Sequence, residues 1–140
     1  MLGVFRKYPT DIKPDAPHVV LVNPADMGNL GTIIRTLAGF NIFSLAVITP
    51  AADIWNPKTI RASMGSLFHM GFRCFADMDE YLETFPDHRI FPFMPDGEVE
   101  LKPESIPRHR LFSLVFGNEA SGLGECFRHL GVTVRIPQSA

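Results

Sequence analysis

Long apolar runs are missing from this 140-residue chain. Nothing approaches the roughly 20 apolar residues that a membrane-spanning helix needs. The opening MLGVFRKYPTDIKP also lacks the apolar core of a signal peptide. A cytoplasmic protein with no membrane partner is therefore expected. Cysteine is scarce: Cys74 and Cys126 stand alone and far apart, with neither CxxC nor zinc spacing. The histidines His18, His69, His88, His109 and His129 show no metal-ligand spacing either, so no metal is expected. Internal repeats and low-complexity tracts are absent. Strong net charge is absent as well, the formal value being −2, which excludes a polycation.

The charge that is present is unevenly spread. Met27 to Ala76 holds Arg35, Lys58, Arg61 and Arg73 against Asp53 alone, a net of +3, whereas Asp77 to Glu104 holds nine acids and two bases, a net of −7. One part of the surface suits phosphates and another repels them. As a plain solvated face, the acidic block needs no further function.

Hydrophobic residues make up 46% of the chain and charged residues 20%, an ordinary globular balance in a length that fits one domain. Short apolar runs at His18–Val22, Ser44–Thr49, Leu111–Phe116 and Val132–Ile136 read as strands, with weaker ones at Phe72–Phe75 and Arg89–Phe93. Their near-continuous apolar character suggests a sheet covered on both faces. Helices lie between them. Leu30, Ile33, Ile34, Leu37 and Ala38 follow the i, i+3, i+4, i+7, i+8 pattern, with Asn29 as N-cap and Gly39 as stop. Asn56-Pro57 opens a helix expected to run through Leu67. Asp77 and Glu80 read as a capping box for a helix to Phe85. Pro86 to Pro107, with five prolines, reads as a short strand and then an irregular connection. The whole is an α/β domain with a mainly parallel sheet and helices on both faces.

Two loops stand out. Asn23-Pro-Ala-Asp-Met-Gly-Asn-Leu-Gly-Thr-Ile-Ile-Arg35 joins the first strand to the first helix at the carboxyl edge of the sheet, where ligands of open α/β sheets gather. The helix start offers free N–H groups there. Arg35 sits about 130° from the centre of the apolar stripe and so faces away from the local core. It reads equally as a surface arginine or as a fork of donors for a phosphate or an oxyanion. Phe116-Gly-Asn-Glu-Ala-Ser-Gly-Leu123 is the second: an apolar strand, then a glycine-rich loop that carries Glu119. By itself such a loop is also consistent with a tight turn capped by Asn118 or Ser121.

These two stretches resemble the first and second motifs of the SpoU/TrmH family of RNA ribose 2′-O-methyltransferases, and Val134-Arg-Ile136-Pro137 resembles the entry to the third. The resemblance runs from His18 onward. It implies a SPOUT-like fold, with a lead-in at 1–17 and the methyltransferase domain at 18–140. The family continues into a Ser-Leu-Asn segment and a closing helix, where this chain has Gln138-Ser139-Ala140. The domain is therefore expected to be incomplete at its C-terminus, with the family's trefoil knot formed only in the complete protein and weak cofactor binding by these residues alone.

The resemblance implies S-adenosylmethionine as cofactor and tRNA or rRNA as substrate. It implies catalytic roles for Arg35, Asn29 and Glu119, with Asn29 open to a role as helix cap, active-site group or both. Cofactor contacts fall to Gly117, Asn118, Glu119, Gly122 and Ile136. Arg35, Lys58, Arg61 and Ser63 are implied as RNA contacts, the last three being open to reading as a solvated helix face. Because arginine's pKa exceeds about 12, a guanidinium that stabilises the emerging oxyanion is favoured over one that acts as base. The family is dimeric, and a homodimer is expected. Two other classes remain open: a non-catalytic RNA-binding or dimerisation module, and a nucleotide-dependent oxidoreductase. The first βα turn lacks the G-x-G-x-x-G that the latter would carry.

Overall fold

His-Val-Val-Leu-Val is almost wholly apolar, and it forms β1 (His18–Val22), buried at every position in the centre of a sheet. The computed structural model describes residues 4, 6–8, 10–104 and 111–138. Around β1 lie β2 (Ser44–Ile48), β3 (Gly71–Phe75), β4 (Arg89–Pro92) and β6 (Phe112–Phe116), all parallel, in the order β3-β2-β1-β6-β4. Val19 pairs with Leu45 on one side of β1 and with Leu114 on the other.

Strand alternation separates two cores. Val19, Leu21, Leu45 and Val47 face Leu30, Ile34 and Leu37 of α1 (Met27–Gly39), together with Leu67 and Ile54. Val20, Val22, Ala46 and Ile48 face Met78 and Tyr81 of α3 (Met78–Thr84), together with Phe85 and Phe127. Helices thus cover both faces, as the apolar strands imply. The lead-in takes part in the second core, where Ile12 is buried.

Three boundaries differ from expectation. The N-cap of α1 is Asp26, whose carboxylate accepts the Asn29 N–H at 2.8 Å; Asn29 is already the third helical residue. The apolar stripe begins only at Leu30, so periodicity hides the polar first turn. The helix opened by Asn56 is α2 (Pro57–Ala62), and it stops short of Leu67. Met64 and Gly65 take left-handed backbone, φ 53° and 84°, and a 3-10 turn, Ser66–His69, follows. The last strand is only β7 (Val134–Arg135). It pairs with β5 (Val99–Glu100), inside the segment read as irregular, in a separate two-stranded sheet. A Phe93–Val134 bridge joins it to the end of β4. Residues 105–107 of that connection lie outside the described residues. As expected, Asp77 caps α3 by accepting the Glu80 N–H, but Glu80 reaches back to the Ala76 N–H at 2.7 Å.

Gly31 lets α1 and α2 touch. A Cβ there would lie 2.6 Å from the Ala62 Cβ and against the Thr59 carbonyl.

At the amino end of β1 and β6 a polar group is sealed inside the core. His18 Nε2 donates to the Lys13 carbonyl at 2.6 Å, and Nδ1 accepts from the Tyr81 hydroxyl at 2.8 Å. Tyr81 continues to Ser113 Oγ at 2.5 Å. The His88 ring stacks on His18 at 4.0 Å. Burial holds His18 down to about 4, with the Lys13 carbonyl acting against it and His88 in the same direction. Burial likewise pushes the Tyr81 hydroxyl up, against its bond to Ser113.

Candidate active site

Strand order reverses at β1: the chain passes from β1 to β2 on one side, and β6 arrives on the other. The crevice beyond the carboxyl ends of β1 and β6 is therefore the expected ligand site. Both sequence motifs meet there.

Asn23 ends β1 with a left-handed backbone, φ 54°. Its N–H donates to the Ile48 carbonyl at 3.0 Å, and its amide Nδ2 donates to Ile48 at 3.3 Å and Pro50 at 3.1 Å. Its own carbonyl accepts Asn118 Nδ2 at 2.8 Å. Asn118 Oδ1 in turn accepts the N–H groups of Ala120 at 2.8 Å and Ser121 at 3.1 Å, and the Gly122 N–H closes the turn on the Asn118 carbonyl at 2.9 Å. Gly117 is forced by this closure. A Cβ there would lie 2.5 Å from Leu123 N and against the Gly122 carbonyl carbon. Gly122 differs: its φ is 66°, and a Cβ would meet nothing within 4 Å.

Glu119 reaches across to the first motif. Its carboxylate accepts the Ala25 N–H at 3.2 Å and the Asp26 N–H at 3.3 Å, just ahead of α1. Desolvation, the largest single influence, pulls its pKa up. The N–H groups of Glu119 itself, Ala25 and Asp26 outweigh that and the repulsion from Asp26, so the group is held below the usual glutamate value. Its lone pairs are thus engaged by backbone, and it clamps one motif to the other.

Three cavities open along this edge. One of about 290 Å³ is lined by Leu21, Pro24, Thr32, Thr36, Phe116 and Glu119. One of about 390 Å³ lies between Pro24, Ala52 and Asn118, and one of about 400 Å³ between Thr49, Met78 and Phe127, and Asn23 borders both. A further cavity of about 470 Å³, between Lys13, Phe43 and His69, lies at the amino ends of the strands. The carboxyl-edge rule and both motifs assign the site to the other end.

The remaining expected residues are distributed as follows. Gly117, Asn118, Glu119 and Gly122 share one loop. Ile136 follows β7 and is 56% exposed. Between the ends of β4 and β6 the rings of Phe93 and Phe116 stack at 4.5 Å. Asn29 is exposed, with its N–H on Asp26. Arg35 is exposed and makes no ion pair or hydrogen bond among the described residues. It lies eight residues into α1, about 12 Å from the helix start at 1.5 Å per residue. Its neighbour Thr36 lines the cavity of about 290 Å³ together with Gly117 and Glu119 of the loop. Lys58 and Arg61 are exposed on α2, and Lys58 Cε lies 3.9 Å from where a Gly28 Cβ would stand. Ser63 is a correction. It is fully buried and its hydroxyl donates to the Ile60 carbonyl at 2.7 Å, so it contacts no RNA backbone from this position.

Sequence reasoning missed Asn23 and Arg128. The Asn-Pro step at a strand end is a signal for the first, since asparagine tolerates the left-handed region. Arg128 ties Glu125 at 2.6 Å to Asp96 at 2.6 Å, holding the loop after β4 against the segment that follows the glycine loop. Asp96 lies 32 positions from Arg128, which leaves no local signal for that half of the pair. No group of three or more His, Cys, Asp or Glu among the described residues is placed to hold a metal, and no helix among them is long and apolar enough to cross a membrane.

The SpoU rRNA Methylase family model matches residues 16–140. The chain belongs to this family. Among its relatives is a 23S rRNA (uridine(2479)-2′-O)-methyltransferase of Streptomyces viridochromogenes, 29% identical over 136 residues, which cover 91% of this chain and 47% of that protein. Another is the 23S rRNA (guanosine(2553)-2′-O)-methyltransferase RlmP of Bacillus subtilis, 28% identical, with 77% of this chain and 44% of that protein covered. The chain thus spans less than half the length of these relatives. Among solved structures, AviRb from Streptomyces viridochromogenes in complex with AdoMet superposes with a TM-score of 0.80 at 26% identity, covering 94% of this chain and 57% of that one. A structure from work on the 2-OH methylation of C/U34 on tRNA superposes with a TM-score of 0.80 at 31% identity, covering 91% of this chain and 84% of that one.

Proposed function

We propose that the protein transfers a methyl group from S-adenosylmethionine to a ribose 2′-hydroxyl of tRNA or rRNA. The observation that carries this reading is the junction at the switch point, where Asn118 and Glu119 of the second motif bond to Asn23, Ala25 and Asp26 of the first. Family membership and the 2′-O-methyltransferase names of its relatives support the reaction class. The AdoMet complex among its structural neighbours supports the cofactor.

The glycine loop suits a ligand held mainly through backbone, because Gly122 faces open space and its neighbours are fixed by Asn118. Gly117, Asn118, Gly122 and Ile136 hold the cofactor in this reading, and Glu119 acts as a positioning residue through its clamp on the first motif. When bound, the cofactor supplies an electrophilic methyl group on a sulfonium. Arg35 supplies a planar fork of donors that grips the phosphate beside the target ribose and stabilises the 2′-oxygen as negative charge develops. Lys58 and Arg61 hold flanking phosphates. The 2′-hydroxyl is both the reacting group and the feature that separates RNA from DNA.

The reading includes a homodimer, in which Arg35 of one protomer faces the glycine loop of its partner. The exposure of Arg35 and its lack of an intramolecular ion pair among the described residues support this. It also includes a cytoplasmic location, where RNA and cofactor are both available.

Methyl label from S-adenosylmethionine, offered to the complete protein with unmodified tRNA and rRNA transcripts, tests the reaction. Label is expected in one class of RNA and lost when the target carries 2′-deoxyribose. Cofactor binding without transfer to any RNA would favour a binding module. Calorimetric binding of NAD in place of S-adenosylmethionine would favour an oxidoreductase. A monomer mass across a wide concentration range would overturn the dimer.

A further inference from the structure

Asn23 belongs to neither the reacting groups nor the cofactor contacts assigned above, yet it lies between the two motifs. Its N–H and side-chain amide engage the end of β2 at Ile48 and Pro50, and its carbonyl engages Asn118. Asn118 passes the connection on to Ala120 and Ser121. One continuous run of amide hydrogen bonds therefore extends from β2, through the end of β1, into the glycine loop. Asn23 also borders two of the three carboxyl-edge cavities.

The loop needs such a support. Gly117 and Gly122 flank it, glycine is the residue with most freedom to lose on ordering, and Glu119 to Gly122 are exposed. A loop that must hold a ligand through backbone loses affinity when its own order is incomplete. We propose that Asn23 is a positioning residue that, paired with Asn118, fixes the glycine loop in its ligand-ready form. The inference rests on the reading under Proposed function for its consequence, cofactor affinity, but not for its physical cause, loop order.

Two substitutions separate the contacts. Asn23→Gly keeps the left-handed backbone without strain and removes the Nδ2 donor. Asn118→Asp keeps an acceptor for Ala120 and Ser121 and removes the donor to the Asn23 carbonyl. The Glu119 clamp survives in both, which leaves a second tie between the motifs. In the complete protein, amide exchange at Ala120, Ser121 and Gly122 is expected to accelerate in each variant by about tenfold or more, the scale of one lost partly buried hydrogen bond. For Asn23→Gly, the Kd and KM for S-adenosylmethionine are expected to rise about tenfold while kcat at saturation changes little, since the group acts through the loop. The double variant is expected to be little worse than the worse single one, because both contacts belong to one run.

Unchanged exchange in the loop would overturn the inference whatever happens to activity, as would strict additivity in the double variant. A fall in Tm with exchange and Kd unaltered would also overturn it, reducing Asn23 to a structural residue. If the unaltered protein bound no S-adenosylmethionine, the functional reading would fall alone, and loop exchange would still decide the role of Asn23.

Discussion

At the amino end of the β1–β6 pair, His18, Tyr81 and Ser113 form a hydrogen-bond chain with every member fully buried. At the carboxyl end, Asn118 donates to the Asn23 carbonyl and Glu119 accepts from the Ala25 and Asp26 N–H groups, beside three cavities and open to solvent at Glu119. The same two strands are thus cross-tied twice. Polar groups sealed from water gain strength from low dielectric and are costly to leave unpaired, so the buried tie serves stability. Groups that hold a loop at the mouth of a crevice leave backbone available to a ligand, so the open tie serves the site. If this division is right, substitutions at the two ends should separate into those that change Tm and those that change binding or rate.

The largest effect is expected on the open side, at Arg35. Arg35→Ala removes a guanidinium with no intramolecular partner among the described residues, so Tm should hardly move. Methyl transfer should fall by about a hundredfold or more, the scale for losing one preorganised donor to a developing oxyanion. Arg35→Lys should also be poor, because a point charge lacks the fork. Full activity in Arg35→Ala would return this residue to the ordinary surface.

The buried side should respond to acid. Folded His18 stays neutral until about pH 4, whereas the unfolded residue takes up a proton near 6.5. The unfolded state therefore binds more protons in this window, and stability falls as pH drops from about 6.5 towards 4. The loss amounts to roughly 3 kcal/mol at full extent. Urea unfolding at pH 7 and at pH 5 checks the sign, and equal stability at the two would contradict it. Tyr81→Phe probes the same chain at constant pH. It strips a partner from both His18 and Ser113, with an expected cost of about 1–3 kcal/mol. Cofactor affinity should stay as it was; a matching loss of affinity would join the two ends that the comparison separates.

The two regions were also unequally legible in sequence. The strands of the large sheet, the α1 stripe and both motif loops could be read because their signals are local: apolar runs, a 3.6-residue period, glycine beside a strand. Ser63 misled because polarity does not report burial; its hydroxyl satisfies the Ile60 carbonyl inside the α1–α2 contact. Asp26 escaped because the cap lies three residues before the polar Asn29, which itself looks like a cap. The His18–Tyr81–Ser113 chain escaped altogether, since its members are 63 and 32 positions apart and meet only when α3 folds over β1 and β6. Likewise β5 and β7 are two-residue strands set by long-range pairing.

The smallest expected effect sharpens the comparison from outside the strand pair. Arg128 makes short contacts with Asp96 and Glu125, yet both carboxylates are exposed and well hydrated. Nearness to Arg128 holds Asp96 and Glu125 below their usual carboxylate values. Ion pairs of this kind gain little because water screens them and two long side chains must be ordered. Arg128→Ala should therefore leave Tm nearly unchanged, unlike Tyr81→Phe. Its one reach is the loop after β4, which approaches the end of β6 through the Phe93–Phe116 stack. A small rise in the KM for S-adenosylmethionine over the unaltered protein, shrinking at high salt where the ion pair is screened in any case, would assign Arg128 to loop placement. A large fall in Tm would instead mean that this exposed network carries stability, and that solvent exposure does not divide the two kinds of tie.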